Sequence, residues 1–179
     1  MIAVDAAIFT GVQKLVGINP VIDLLGIFCA SVLIWLEAGA AVVFWLMDRR
    51  RRFLEFMTAP VTALLAWLMS DVIGKIYFRP RPFAVLETAK LLINKSPLDK
   101  SFPSDHATIA FAIAVSIFLV DRRWGYPLLA VATVIALARI FVGVHYLTDI
   151  AAGAVLGSVC ALAIHRLIHW FLHTRHGRT

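Results

Sequence analysis

A histidine and an aspartate in the C-terminal half of the chain have the spacing of a catalytic pair. Arg139, His145 and Asp149 occur within one eleven-residue segment. His145 and Asp149 are four residues apart, so a helix would place the carboxylate against the imidazole. Such a carboxylate fixes the tautomer of a histidine and raises its nucleophilicity, and Arg139 can bring a bidentate guanidinium to the same pocket. The alternative is an interfacial ion pair between Arg139 and Asp149, which leaves His145 unexplained.

A second histidine follows a helix-start signal in the segment Ser-Phe-Pro-Ser-Asp-His, residues 101–106. Ser104 is a good N-cap directly before an apolar run, which predicts a helix that begins there. The N-terminus of a helix presents unpaired backbone N–H groups and the positive end of its dipole, and both bind anions. His106 lies in the first turn, where it can donate a proton to a leaving oxygen. The alternative is simple capping beside an uninvolved histidine.

A third cluster places three cations at the end of an apolar run, in Lys-Ile-Tyr-Phe-Arg-Pro-Arg-Pro, residues 75–82. Lys75 and Arg79 are one helical turn apart and share a face, and Asp71 lies one turn before Lys75 to position it. The prolines around Arg81 end the helix and hold this arginine in an extended stretch. Three cations suit a phosphate or diphosphate group. The alternative is a set of basic side chains that extend to a membrane interface.

Taken in this order, the three clusters resemble the signature of the type 2 phosphatidic acid phosphatase superfamily. That signature is a lysine followed by Arg-Pro, then Pro-Ser-Gly-His, then Ser-Arg, five residues, His, three residues and Asp. The superfamily includes lipid phosphatases and vanadium haloperoxidases. Arg-Pro-Arg-Pro-Phe together with Ser-Phe-Pro-Ser-Asp-His is similar to the bacterial undecaprenyl-diphosphatase branch, which recycles the carrier lipid of cell-wall synthesis.

The resemblance implies a role for each matching position. His145 would attack phosphorus, Asp149 would orient it, and His106 would protonate the leaving group. The resemblance also implies a set of groups that hold the phosphoryl oxygens: Lys75, Arg81, Ser104, Arg139 and the backbone N–H groups of Asp105 and His106. No metal ion or other cofactor is expected, because cationic side chains stabilise the charge.

Three positions depart from the family pattern. The family has six residues between the lysine and the arginine of Arg-Pro, whereas Arg81 follows Lys75 after five and Arg79 after three. Arg81 is favoured because Arg-Pro-Phe follows in the family manner, and Arg79 is its rival. Asp105 replaces a common glycine and is expected to contact a cation such as Arg79 or Arg81. Ala138 replaces the usual serine and removes one hydroxyl.

The elements that must position these residues are membrane-spanning helices. The chain has 179 residues, 61% hydrophobic and 16% charged, with a mean hydropathy of +0.86. This composition in long apolar runs predicts an all-α integral membrane bundle and excludes a soluble haloperoxidase. One domain, 1–179, is expected, with an N-terminal interfacial helix within residues 1–20 and an extracytoplasmic loop at 79–103. The five predicted spans are 21–47, 53–78, 104–120, 127–141 and 146–171.

Basic residues predict the orientation of the bundle. Arg49 to Arg52, Arg122-Arg123 and the Arg175/Arg178 tail fall on one side, which the positive-inside rule makes cytoplasmic. The three clusters then face outward from a bacterial cell membrane. The formal charge of +6 is spread between apolar runs, so no nucleic acid is expected. Glu37, near the middle of the first span, predicts either a proton or substrate pathway or an interhelical hydrogen bond.

The expected function is hydrolysis of a lipid phosphate or diphosphate, foremost undecaprenyl diphosphate, through a phosphohistidine. Phosphatidylglycerophosphate, phosphatidate and lipid A are alternative substrates. A small membrane transporter or a lipid-phosphate-binding scaffold is the alternative from outside the enzymes. The partners are then the lipid substrate and the membrane, with the oligomeric state open. Four histidines at 165, 169, 173 and 176 have helical spacing, but a basic tail facing lipid is a better interpretation than a metal site.

Overall fold

The chain folds into helices joined by short connections and one long loop. The computed structural model describes residues 3–47 and 53–176, and every regular element in those ranges is α-helical, which confirms the predicted class. The elements are α1 (Ala3–Gln13), α2 (Pro20–Ser31), α3 (Leu33–Met47), α4 (Phe53–Ile76), α5 (Pro82–Val85), α6 (Asp105–Val120), α7 (Arg122–Phe141) and α8 (Leu147–His176).

Three of these helices are long and apolar enough to cross a membrane: α4 from Met57 onward, α7, and α8 as far as Phe171. Helices α2 and α3 qualify as a fourth span when they are taken together. Helix α6 has 16 residues, or about 24 Å at 1.5 Å per residue, and is shorter than a typical span. Helix α7 begins at Arg122 rather than at Pro127 because the Asp121 carboxylate caps it, accepting a hydrogen bond from the Arg123 N–H.

The first predicted span, 21–47, is bent and consists of two helices, α2 and α3. Helices α2 and α3 meet at Val32 with a bend of 49°. No proline or glycine lies at the break. Instead, Arg139 inserts its guanidinium, and Nη1 donates a hydrogen bond of 2.8 Å to the Ala30 carbonyl oxygen. In an uninterrupted helix that carbonyl would accept from the Ile34 N–H, and a side chain inserted into this ladder is a known cause of kinks.

Helix α6 is the centre of the bundle and packs against α4, α7 and α8. Its contact with α8 is close because two glycines of α8 face it. A Cβ atom at Gly157 would lie 2.2 Å from the Thr108 carbonyl oxygen, and one at Gly153 would lie 2.7 Å from the Ser104 carbonyl oxygen. Gly153 and Gly157 form a G-x-x-x-G sequence, which lets membrane helices approach to backbone contact.

The predicted N-terminal helix exists as α1, and the predicted break after it is confirmed. The Asn19 side chain caps α2 by accepting a hydrogen bond of 2.8 Å from the Val21 N–H, and Pro20 is the first residue of α2. Helix α1 lies at the end of the bundle where α7 ends and α8 begins, and contacts both. Its buried residues are Asp5, Phe9 and Gln13.

The three predicted clusters lie at this same end, where α4 and α7 end and α6 and α8 begin. Arg122 and Arg123 start α7 at the opposite end. The other basic residues used to predict orientation, Arg49 to Arg52 and Arg178, lie outside the described residues. Glu37 is fully buried, and neither carboxyl oxygen has a hydrogen-bond partner among the described residues, so the interhelical hydrogen bond is not seen.

Candidate active site

His145 lies in the turn between α7 and α8 and is buried. The turn requires Gly143, which has φ +89° and whose missing side chain leaves room for the Lys90 carbonyl oxygen. Because α8 begins only at Leu147, His145 is not helical, and the expected helical placement of the carboxylate against the ring does not occur. The Asp149 Oδ2 atom lies 3.7 Å from His145 Nδ1, beyond hydrogen-bond range.

A backbone carbonyl fixes the imidazole instead. His145 Nδ1 lies 2.8 Å from the Ser101 carbonyl oxygen. A carbonyl can only accept, so Nδ1 carries the proton and Nε2 keeps its lone pair. Nε2 points toward Arg81, whose Nη1 is 3.4 Å away. Burial lowers the pKa of His145 to about 4, and the charges of Arg139 and Arg81 act in the same direction against the Asp149 carboxylate. The ring is therefore neutral near pH 7 and presents a nucleophilic nitrogen.

Asp149 is completely buried and held on both carboxylate oxygens. Oδ2 accepts hydrogen bonds from the Ser101 hydroxyl (2.6 Å) and the Tyr146 N–H (2.8 Å). Oδ1 accepts from Arg79 Nη1 at 2.6 Å. Ser101 thus contacts His145 through its carbonyl and Asp149 through its hydroxyl. The carboxylate stands next to the ring and can stabilise positive charge that develops there.

The two arginines left open by the sequence have separate places. Arg81, held between Pro80 and Pro82 at the start of α5, is 5% exposed and donates from Nη1 to the Val144 carbonyl oxygen at 3.2 Å. Arg79 pairs through Nη1 with Asp149 Oδ1 at 2.6 Å and through Nη2 with Asp5 Oδ2 at 2.8 Å. Arg81 is therefore the arginine beside Nε2 of His145.

Three donors on the residues expected to hold phosphate are buried without an acceptor among the described residues. They are Arg81 Nε, Arg139 Nε and the Ser104 hydroxyl. Arg139 is 1% exposed and lies within the electrostatic influence of Arg81. Buried unpaired donors and neighbouring buried cations are costly, and an anion bound between them would relieve both costs. Ser104 occupies the predicted N-cap position of α6, but its hydroxyl makes no capping hydrogen bond and stays available.

His106 and Asp105 form the first turn of α6, as predicted. His106 is partly buried and within electrostatic influence of Arg139, His145 and Arg81, so the two histidines lie at the same end of the bundle, close enough to interact electrostatically. Asp105 contacts neither of the arginines suggested by its sequence. The cation on its Oδ1 is Lys100, whose Nζ is 2.6 Å away.

Lys100 comes from the long loop and reaches the pocket over a glycine. Its Nζ also donates to the Ser70 hydroxyl (3.0 Å) and the Pro103 carbonyl oxygen (3.1 Å). Its aliphatic stem crosses Gly74 so closely that a Cβ atom there would lie 1.9 Å from Lys100 Cδ. Lys75 is different: its side chain is 75% exposed, and its Nζ pairs with Asp71 at 2.6 Å, the partner expected from the sequence.

Two cavities open beside the site. One, of about 470 Å³, is lined by four cations and three carboxylates, the cations being Lys75, Arg81, Lys95 and Lys100. The other, of about 860 Å³, is mostly apolar and shares Phe78 with the first. Its aromatic lining comes from Tyr77, Phe78, Phe102 and Tyr146. Within the described ranges, no three His, Cys, Asp or Glu side chains are placed to hold a metal ion.

Sequence reasoning missed three residues of this site: Lys100, Ser101 and Asp5. Lys100 and Ser101 lie in a loop without periodicity, and the Ser101 carbonyl belongs to the backbone, so residue type carries no signal for it. Asp5 did have a signal, because it is the acidic residue of a short apolar helix. A carboxylate on such a helix needs a cation or a donor when it is buried.

Comparison with known proteins identifies the family. The sequence profile of the PAP2 superfamily matches residues 55–172. The bacitracin transport permease protein BcrC of Bacillus licheniformis is 34% identical over 147 residues, 82% of this chain and 70% of that protein. The undecaprenyl-diphosphatase BcrC of Bacillus subtilis is 30% identical over 159 residues, 89% and 81% of the two chains.

A solved structure shows the same fold. The crystal structure of Aquifex aeolicus LpxE superposes with a TM-score of 0.74, covering 92% of this chain and 96% of that chain at 23% identity. The profile match covers more than half of the chain and includes all three clusters. The chain therefore belongs to the PAP2 superfamily and is a membrane-embedded hydrolase of phosphate esters or anhydrides.

Proposed function

We propose that this enzyme hydrolyses a polyprenyl diphosphate, undecaprenyl diphosphate foremost, to the lipid monophosphate and inorganic phosphate through a phosphohistidine on His145. The observation that carries the proposal is that three of the residues expected to hold phosphate bury donors with no acceptor among the described residues. Arg81 Nε, Arg139 Nε and the Ser104 hydroxyl lack an acceptor among the described residues, and the neutral His145 ring carries its proton on Nδ1 and turns the lone pair of Nε2 toward Arg81. A phosphoryl group has the oxygens these donors need and the phosphorus that the nitrogen can attack.

The reaction proceeds in two steps, phosphoryl transfer to His145 and hydrolysis of the phosphohistidine. In the first, the lone pair of His145 Nε2 forms a bond to the terminal phosphorus, and the bond from that phosphorus to the bridging oxygen breaks. His106 delivers a proton to this oxygen, which leaves with the lipid monophosphate. In the second step, water gives a proton to His106 and its oxygen displaces Nε2 from phosphorus, which releases phosphate. The Ser101 carbonyl keeps the ring oriented, and Asp149 stabilises its positive charge.

A diphosphate is favoured over a monophosphate by the cations beside the site. The cavity of about 470 Å³ adjoins Arg81 and adds Lys75, Lys95 and Lys100 to its lining. Two phosphate groups carry more charge than Arg81 and Arg139 can neutralise. Lys75 and Lys100 are paired with Asp71 and Asp105 in the resting enzyme, so a second phosphate group would recruit these lysines in competition with the carboxylates, alongside Lys95. Lys75, at the exposed rim, takes this role together with the loop lysines. The name of the Bacillus subtilis relative supports the same substrate.

A long apolar chain is favoured by the neighbouring cavity. Its aromatic lining gives an isoprenoid chain an apolar path of about 860 Å³ next to the phosphate site. The whole chain, 1–179, then acts as one phosphatase domain. The loop 79–103 and the turn 142–146 face the outside of a bacterial cell membrane, with α1 at the interface, since Arg122 and Arg123 start α7 at the other end.

The test is phosphate release from lipid substrates by the purified enzyme in detergent, with and without a chelator. We expect undecaprenyl diphosphate to be turned over faster than phosphatidate, phosphatidylglycerophosphate and lipid A. The chelator should leave this rate unchanged. His145→Ala should abolish it. His169→Ala, the same change far along α8, should not. Full activity in His145→Ala would refute the mechanism, and a faster rate on one of the other lipids would replace the substrate.

A second measurement addresses the intermediate and the non-enzymatic alternative. Enzyme quenched during turnover of labelled substrate should carry acid-labile phosphate, which His145→Ala lacks. Absence of labelled enzyme under rapid quench would argue for direct attack by water. The Bacillus licheniformis relative is named a transport permease, so transport is tested separately. Stoichiometric lipid binding without phosphate release by wild type would support a transporter and contradict the proposed hydrolysis.

A further inference from the structure

One face of α1 buries an unusual sequence of side chains. Asp5, Phe9 and Gln13 are spaced four residues apart and are 2%, 0% and 3% exposed, whereas Val4 on another face is 63% exposed. This spacing places all three on one stripe of the helix. A stripe that only anchored the helix in a core would be apolar throughout. Here both ends of the stripe are polar.

The Gln13 end of the stripe holds the end of α7. Its Nε2 donates to the Ile140 and Phe141 carbonyl oxygens, at 3.2 and 2.9 Å. These carbonyls belong to the last turn of α7, where donors from within the helix run out, and the Ile140 carbonyl also accepts from the Gly143 N–H at 3.0 Å. Its Oε1 accepts from the Lys90 N–H at 2.8 Å, which ties in the long loop. Gln13 therefore fixes the point at which the chain leaves α7 for the turn that carries His145.

The Asp5 end holds the start of α8. Oδ1 accepts from the Thr148 N–H at 3.1 Å, and Oδ2 accepts from the Thr148 hydroxyl. Thr148 is the second residue of α8, so its N–H lacks an intrahelical partner, and Asp5 supplies the cap from another helix. Between the two polar ends, the Phe9 ring packs on Tyr146 at 5.7 Å, next to His145.

Asp5 is also joined to the catalytic carboxylate. Arg79 donates from Nη2 to Asp5 (2.8 Å) and from Nη1 to Asp149 (2.6 Å), and its guanidinium lies 4.1 Å from the centre of the Tyr146 ring. Burial raises the pKa of Asp5, but the hydrogen bonds from Thr148 and Arg79 outweigh it and leave this pKa below its ordinary value. Asp5 is thus ionised at neutral pH and balances Arg79.

We propose that α1 is a clamp that positions the catalytic turn: Gln13 and Asp5 hold the two helix ends on either side of residues 142–146, and Asp5 orients Asp149 through Arg79. This inference rests on the proposed function of His145 and Asp149. Asp5 contacts no reacting atom and is a positioning residue. The N-terminal helix is therefore part of the catalytic apparatus, although it lies outside all three sequence clusters.

The experiment compares Asp5→Asn with Asp23→Asn. Asp23 is an acid outside the clamp, and its carboxylate accepts from the Gly17 N–H within the described part of the chain. The amide keeps an acceptor for Thr148 but loses the charge that balances Arg79. We expect Asp5→Asn to lower kcat about 10- to 150-fold, the range set by hydrogen bonds to charged groups. KM should stay within about two-fold, because the groups that hold phosphate are untouched, and Asp23→Asn should match wild type.

A double-mutant cycle separates positioning from loss of folding. Asp5→Asn leaves Arg79 with less balance, so Asp5→Asn/Arg79→Gln removes both charges and should fold even if the single variant does not. We expect the double variant to lose less kcat than the product of the two single losses, or to equal Arg79→Gln if Asp5→Asn cannot be purified. Wild-type kcat in Asp5→Asn, multiplicative losses, or an Asp5/Arg79 double variant with wild-type kcat would overturn the clamp.

The clamp and the proposed substrate fail in different ways. If wild type does not hydrolyse polyprenyl diphosphate but does hydrolyse phosphatidate, only the proposed substrate is refuted. The variants are then measured on phosphatidate. Wild type that turns over polyprenyl diphosphate, with Asp5→Asn unchanged, overturns the clamp alone. Wild type that hydrolyses none of these lipids overturns both.

Discussion

Replacing Ser104 by alanine should separate stability from catalysis. The Ser104 hydroxyl is fully buried and has no acceptor or donor partner among the described residues. An unmade hydrogen bond of this kind costs about 1–3 kcal/mol in the resting enzyme. Its removal should leave the free energy of unfolding unchanged or raise it by about 1 kcal/mol. With a phosphoryl oxygen bound, the same hydroxyl gains about 1.5–3 kcal/mol as a hydrogen bond to a charged group.

Loss of that hydrogen bond corresponds to a fall in kcat/KM of about 10- to 150-fold. The assay is phosphate release in detergent, paired with thermal unfolding of the same preparations. Ser116→Ala is a matched control, since Ser116 is on the same helix and its buried hydroxyl also lacks a partner among the described residues. It should show the same change in stability with wild-type activity. Undiminished activity in Ser104→Ala, or an equal loss in Ser116→Ala, would refute the reasoning.

Two further predictions concern pH and packing. The pKa of His145 is lowered to about 4 in the folded enzyme. As pH falls from about 6.5 toward 4, this histidine therefore becomes protonated in the unfolded chain but stays neutral in the folded enzyme. The free energy of unfolding then falls by about 1.4 kcal/mol per pH unit. Denaturation in detergent across this range should show the slope, and the His145→Gln variant should lack this share of it. Gly157→Ala places a Cβ 2.2 Å from the Thr108 carbonyl oxygen and should prevent recovery of monodisperse protein in size-exclusion chromatography. Gly39→Ala, which meets nothing within 4 Å, should be recovered normally, and equal recovery of both would contradict the close approach of α6 and α8.

Local signals in the sequence predicted the elements and the reactive side chains. The N-cap at Ser104 marked the start of α6, and apolar length marked α4 and α8, because these properties depend on neighbouring residues. The bend at Val32 depends on Arg139, more than 100 residues away, so no proline or glycine announces it. Asp5 and Arg79 meet for the same reason only in the folded chain.

The placement of His145 shows a second limit of the sequence. The spacing to Asp149 predicted a helical pair, and the two residues are indeed neighbours. Their distance of 3.7 Å reflects the start of α8 at Leu147, a boundary that the Asp5 cap and the turn at Gly143 decide together. The role of fixing the tautomer passes to the Ser101 carbonyl. A backbone acceptor leaves no trace in residue type, so only the fold reveals it.

Because the Lys100 side chain passes directly over Gly74, the fold cannot hold both this lysine and a side chain at position 74. A Cβ atom at position 74 would overlap the lysine stem at 1.9 Å, so the volume holds either a side chain from α4 or the one from the loop. The six-residue spacing of the family would put its lysine at position 74, seven before Arg81. In this chain the Lys100 side chain, which comes from the loop, occupies that volume. Moving the cation from the loop to α4 therefore requires substitutions at both position 74 and position 100. A side chain at position 74 alone would collide with Lys100, and loss of the Lys100 side chain alone would leave a void.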